Sequence, residues 1–300
     1  MHGSEAQAGL QKPDEAADFS QIGKGNWACF DLPLERIWEA AAEWCQALKG
    51  VRRAWLCWAV SDRWCVLQQR LIQEVGWTPV VGFDPRGGQP TCLPGSIAID
   101  FNAHFKFDIM YMHFPLEFAF LFAERLGFWH SDLLCSLDNM RYLRDLFESL
   151  PDGALAAVPE KGGRRNFFNF SRHRYWELVG CTTRGASESQ FRHGSGWWRH
   201  IHCHPSCTDS RERRRRSRYY YDHGTGIMYW KRHYGGKVVD IPLEKVVAGH
   251  CTSINKTNYK RVSPGPDGGR SGGLQNLVTE LDLNYDLSEV AKKLGIAHLL

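Results

Sequence analysis

Seven consecutive apolar residues, Ala54-Trp55-Leu56-Cys57-Trp58-Ala59-Val60, set the strongest limit on what this chain can become. The run is too short for a helix of ordinary length and lacks the alternation of a half-exposed strand. It predicts a parallel strand buried on both faces, which helices must then cover. The sequence supplies the first of them at once: Ser61 is a capping residue, Trp64, Leu67, Leu71, Ile72 and Val75 recur at helical spacing, and Gly76 stops the pattern. Thr78 to Phe83 reads as a second strand, ending in the turn Asp84-Pro85-Arg86-Gly87-Gly88. Strand, helix, strand makes a βαβ unit, right-handed by default. Ligands bind at the carboxyl ends of such strands, which puts Ser61, Asp62, Arg63, Asp84 and Arg86 on the functional edge. Neither G-x-G-x-x-G nor G-x-x-x-x-G-K-[ST] occurs, so a classical dinucleotide site and a P-loop are both unsupported.

Upstream, Asp31 and Pro33 start a helix whose stripe is Ile37, Trp38, Ala41, Cys45 and Leu48, closed by Gly50. Downstream, Gly95 to Phe101 reads as a further strand. Residues 114–158 then give helix, strand, helix, strand. Pro115 opens a helix, and Phe118 to Leu126, apolar nearly all round, predicts that it is buried until Gly127 breaks it. Phe128 to Cys135 reads as a short buried strand carrying His130, Ser131 and Asp132; polar groups there must be satisfied or functional. Asp138 is a plausible N-cap for a helix with Met140, Leu143, Phe147 and Leu150 on one face, and Pro151 ends it before the strand Ala154 to Val158. Tyr175 to Thr183 reads as a strand or short helix running into a Gly-Ala-Ser turn, and Gln190 to Arg199 as a closely packed loop. Ile227 to Tyr234 and Lys237 to Ile241, joined by Gly235-Gly236, predict a β-hairpin, and Asp286 to Gly295 a capped amphipathic helix.

Composition sets outer bounds. A hydrophobic fraction of 43% with 12 Trp describes a globular chain rather than a disordered one. Net charge is only +4, so no global field calls for nucleic acid or a membrane. Ten Cys without a signal peptide imply free thiols in a reducing compartment, hence a cytoplasmic protein. No apolar run reaches the roughly 18 residues of a membrane span. The expected organisation is a polar tail over 1–24, one α/β domain over 25–262, a Pro/Gly/Ser linker over 263–274 and a helical segment over 275–300.

Residues 200–207 hold the densest set of soft ligands: His200, His202, Cys203, His204 and Cys207 would suffice for a tetrahedral Zn²⁺ shell. Their spacing is not paired C-x-x-C, and isolated loop residues are the simpler reading. Residues 211–218 hold six Arg, read first as a solvated loop, then as a lid that orders on a diphosphate. With the preceding cluster they also define an alternative, a non-catalytic zinc and nucleic-acid binding module over 200–218.

Over roughly residues 50 to 255 the order of parts resembles the nucleotide-sugar glycosyltransferases of the GT-A fold. The resemblance implies an α/β, Rossmann-like, mostly parallel sheet flanked by helices, with the C-terminal hairpin region closing over the site. It implies a nucleotide-sugar donor, an acceptor of unspecified class, and a divalent cation, Mn²⁺ or Mg²⁺, on the donor diphosphate. Asp84 falls where that family meets the base or ribose. His130-Ser131-Asp132 falls on its Asp-x-Asp metal motif, and His250 on its late His. The first motif position is His rather than Asp, an exchange that suits Zn²⁺ better than a hard cation and also admits a degenerate fold that binds nucleotide without turnover. By sequence order Glu177 is the candidate base for an inverting reaction, while Trp197 and Trp198 are candidate platforms for a donor or acceptor ring.

Overall fold

The computed structural model describes residues 34–83, 89–105, 113–160, 174–197, 209–219, 224–251, 281 and 285–300. The 1–24 tail, the 263–274 linker and the 200–207 cluster lie outside these residues.

Helix α1 (Leu34–Ala47) precedes the βαβ unit β1 (Ala54–Trp58), α2 (Asp62–Glu74), β2 (Thr78–Phe83) and then β3 (Ile97–Asp100). After α3 (His113–Glu117) come β4 (Arg125–Trp129), α4 (Leu137–Ser149), β5 (Ala154–Pro159), β6 (Tyr175–Thr183) and α5 (Arg184–Arg192). The chain continues through α6 (Ser210–Arg216), α7 (Thr225–His233), β7 (Lys237–Asp240) and α8 (Leu287–Lys293). The strands form one sheet in the order β3-β2-β1-β4-β6-β5-β7. β1 pairs parallel with β2 and β4, β2 with β3, and β5 with β7, whereas β6 runs antiparallel to both β4 and β5. The result is an α/β fold with a seven-stranded, mostly parallel sheet flanked by helices.

Every residue of β1 is buried, as its uninterrupted apolar run requires. Alternate side chains feed two cores. Leu56 and Trp58 join Trp44 of α1, Phe191 of α5 and Trp230 of α7; Trp55 and Cys57 join Leu71 of α2, Phe147 of α4 and Val290 of α8. Helices therefore cover both faces of the sheet.

Several sequence expectations shift. The buried helix over 118–126 is not formed: α3 ends at Glu117, a 3₁₀ turn spans Ala119–Leu121, and β4 already begins at Arg125. A stretch that is apolar all round carries no periodicity, so it cannot distinguish a helix from a buried turn. Gly127 is no breaker but lies inside β4, where a Cβ would stand 2.9 Å from Trp55 Cδ2. The cap of α4 is Ser136, whose hydroxyl accepts from Asn139 N at 3.4 Å, with Asp138 in the first turn instead. The Gly185-Ala186-Ser187 turn is the first turn of α5. The C-terminal β-hairpin is absent: its first half is helix α7, and β7 instead pairs parallel with β5. Ile227, Tyr229 and Trp230 favour strands by propensity, but a helix buries Ile227 and Trp230 in the core and sets Tyr229 against Glu212 and Arg216.

The Arg run is likewise not a loop. It forms α6, capped by Asp209, whose carboxylate accepts from Arg211 N at 2.8 Å and Glu212 N at 3.2 Å. Arg216 is buried, donating to Glu212 Oε1 at 2.8 Å and to the carbonyls of His193 and Gly194 at 2.6 and 3.0 Å. Glu212 also accepts from Tyr229 Oη at 2.8 Å and from Tyr234. Burial alone would raise the Glu212 pKa, but the hydrogen bonds from Tyr234, Arg216 and Tyr229 hold it at about 2. A carboxyl depressed in the folded state stabilises above its ordinary pKa, and that contribution is lost as pH falls toward 2. Glu212 should therefore give an acid-labile stability increment on the order of 2 kcal/mol. Urea unfolding from pH 6 down to pH 3 should show it in the parent and not in Glu212→Gln, which should also be about 3 kcal/mol less stable at neutral pH. An equally steep acid limb in both proteins would refute this assignment.

Candidate metal centre

The sheet grows from β1 through β2 to β3 on one side, and the chain then crosses to place β4 on the other side of β1. That reversal opens a crevice between the carboxyl ends of β1 and β4, where ligands bind in open α/β sheets. His130 is the first residue past β4. Its N–H donates to Leu178 O at 3.0 Å, so the β4–β6 ladder extends one residue further and the chain then turns, with Leu133 N donating to His130 O at 3.2 Å. The fully buried Gln68 of α2 clamps the turn, its Nε2 donating to the carbonyls of His130 and Leu133, both at 2.8 Å.

The third strap comes from the segment after β7. Leu133 bridges His250 antiparallel, Leu134 N donates to Gly249 O at 3.1 Å, and Cys251 N donates to Asp132 O at 3.2 Å. These contacts deliver His250, 1% exposed, against the turn. His130 Nδ1 lies 3.2 Å from His250 Nε2 and 3.7 Å from Asp132 Oδ1, and His250 Nε2 lies 3.4 Å from Asp132 Oδ1. His130, Asp132 and His250 could hold a metal ion.

The triangle can be tested against coordination geometry. Bonds of about 2.1 Å to a tetrahedral centre imply ligand–ligand edges of about 3.4 Å, while octahedral neighbours at the same bond length lie about 3.0 Å apart. The observed 3.2, 3.4 and 3.7 Å bracket the tetrahedral value. Two imidazoles and one carboxylate are borderline donors that favour Zn²⁺ or Mn²⁺ over Mg²⁺. Glu177, on β6, places Oε1 3.8 Å from His130 Nε2, on the side of the ring away from the other two ligands. A carboxylate there favours the tautomer that leaves Nδ1 free to coordinate.

Electrostatically the group is self-paired. Burial would lower the His130 pKa, but the nearby carboxylates of Glu177 and Asp132 raise it. Burial would raise the Asp132 pKa, but hydrogen bonding and charge from His250, with the charge of His130, lower it.

The sequence thus brought His130, Asp132, His250 and Glu177 to one place. Ser131 sits half-buried in the same turn. Asp62 is engaged elsewhere: its carboxylate accepts from Thr91 N and Oγ1 at 2.6 and 2.7 Å. Arg63 faces a cleft beside Leu287 and Leu299, and Ser61 is buried at the start of α2. Trp197 is no ring platform, because it is 1% exposed and packs edge-on against Phe128 in the core. Asp84, Arg86, Trp198, and the His200, His202, Cys203, His204 and Cys207 cluster, lie outside the described residues. Gln68 was missed, although an amide on the apolar stripe of α2 is a polar group that must find a buried partner. No helix among the described residues is long and apolar enough to cross a membrane.

A comparison with protein-family models found no match, and comparisons with curated proteins and with solved structures found none either.

Ligating imidazoles must shed their protons, so metal binding should release protons and strengthen as pH rises from about 6 to 8. Calorimetric titration with Zn²⁺ in buffers of different ionisation enthalpy checks this. A Cβ on Gly249 would lie 1.7 Å from Leu134 O. Gly249→Ala should therefore displace the His250 strap and weaken Zn²⁺ binding at least tenfold, although it removes no ligand. Unchanged affinity would show that the strap does not build the site.

Proposed function

We propose that the protein is a metal-dependent glycosyltransferase that moves a sugar from a nucleotide-sugar donor to an acceptor hydroxyl, on a GT-A-like fold. The observation that carries the reading is the position of His130, Asp132 and His250 just past β4 at the β1/β4 crevice. It agrees with the resemblance in which a strand ending in an acidic motif and a late His hold the donor diphosphate. A divalent cation held by these three residues would neutralise charge developing on the departing nucleoside diphosphate. The donor set makes Zn²⁺ or Mn²⁺ the fitting ion and Mg²⁺ the poorer one. Gln68 and Leu178 hold the His130 turn rigid, so its ligands need little reorganisation when the donor arrives.

Glu177 takes a different part from the base that sequence order suggested. Lying behind His130, it orients the imidazole and is a positioning residue. Glu177→Gln should then weaken metal affinity 10- to 100-fold, with turnover recovering at saturating metal. Loss of turnover with metal affinity intact would instead make it the acceptor's base.

The reading as a whole is tested by thermal unfolding against a panel of nucleoside diphosphates and nucleotide sugars, with and without Mn²⁺ or Zn²⁺. A ligand at 100 times its dissociation constant should add about 2.7 kcal/mol. The metal-dependent shift should appear for one nucleobase and vanish in Asp132→Ala. If no donor shifts the parent protein under any metal condition, the transferase reading is wrong.

A further inference from the structure

The opposite edge of the sheet holds a cavity of about 450 Å³ walled by Arg52, Arg53, Arg125, Arg184, Glu124 and Asp152. We propose that it is a binding site for a small oligophosphate anion, such as a di- or triphosphate group. It is separate from the metal centre and independent of the transferase reading. The cavity lies where β1, β4 and β5 begin and the reversed β6 ends, since Arg125 pairs with Thr183 and Leu155 with Thr182. His130 follows at the other end of β4, about 16 Å away at strand rise.

The charges point to an anion. Arg125 donates Nη1 to Glu148 O at 2.9 Å and Nη2 to Leu150 O at 2.7 Å. Carbonyls fix that guanidinium in place and leave its charge uncompensated. Arg53 meets Glu148 at 3.2 Å, an exposed pair that water screens. Arg184 Nε is buried with no hydrogen-bond partner among the described residues. Arg184 is moreover the first residue of α5, at the positive end of the helix dipole, where a cation is disfavoured. Asp152 is partly spent, accepting from Gly185 N at 2.8 Å. Counting Glu148 beside Arg53, four guanidiniums face three carboxylates. The fixed Arg125 and the Arg184 Nε unpartnered among the described residues, in a cavity within the usual size of ligand pockets, make an arrangement that a multiply charged anion relieves. One orthophosphate would leave most of the volume unfilled, whereas two or three linked phosphates could reach several arginines.

Calorimetric titration of the full chain with sodium tripolyphosphate, without divalent cations, tests the assignment. One saturable site per chain is expected. Arg184→Gln should weaken it at least tenfold, and the exposed Arg52→Gln, which should leave the thermal midpoint unchanged, at least threefold. Asp132→Ala should bind as the parent does. The proposal is overturned by the absence of saturable binding, by parental affinity in both arginine variants, or by loss of binding in Asp132→Ala. It is also overturned if the arginines are required for RNA binding while tripolyphosphate does not bind.

Discussion

β6 runs against its neighbours, and the hydrogen bond from His130 N to Leu178 O carries its ladder with β4 one residue beyond the strand proper. That bond fixes where the chain leaves the sheet. The turn it begins is then held by the Gln68 amide, by the Leu133–His250 bridge and by Asp132 O accepting from Cys251 N. Segments remote in sequence thus meet at the backbone of the His130 turn, two of them through their own backbone groups and α2 through the Gln68 amide. Such a site is rigid because its supports are backbone hydrogen bonds and one fully buried amide, Gln68, that is held at two carbonyls.

The second organised polar region obeys the same economy of charge. Glu212 and Arg216 are buried on one helix one turn apart, and Tyr229, Tyr234 and Arg215 complete the carboxylate's shell. An ion pair buried this way gives little net stability over an apolar pair, yet breaking it is costly. Its consequence is geometric. It fastens α6 to α7 and to the end of α5 through the His193 and Gly194 carbonyls, and α7 leads directly into β7 and the His250 strap.

The sequence made the βαβ start legible because a doubly buried parallel strand leaves an unbroken apolar run, and β1 and β2 lie within two residues of where that run and Thr78–Phe83 put them. His130 and Asp132 stood out for another reason, since polar residues in an apolar stretch need partners, whereas His250 was singled out only through the family resemblance. What failed was local preference. The Ile227–Trp230 run favours strands in isolation, and the packing of Ile227 and Trp230 in the first core goes with its helical form. Apolar residues 118–122 had no period to read, and Gly127 passed for a breaker because its reason, the Trp55 ring above it, lies on another strand. The arginine cavity left no trace in the sequence, since Arg52, Arg125 and Arg184 converge only after three strand ends are brought together.

The His at position 130 changes more than donor softness. Two carboxylates would balance a divalent cation fully, while one carboxylate with two neutral imidazoles leaves it a net charge of about +1 at the first coordination shell. Under the proposed transferase function, a diphosphate entering that crevice would meet an ion that is less neutralised and therefore more attractive to its oxygens. Glu177 moderates this from behind the ring, at 3.8 Å from His130 Nε2, where it supports the imidazole without occupying a coordination position. Exchanging His130 for Asp would add a charge to the shell but remove the group that Glu177 orients, leaving two carboxylates facing each other without an intervening cation. The His and the Glu therefore belong together, and neither is a conservative change by itself.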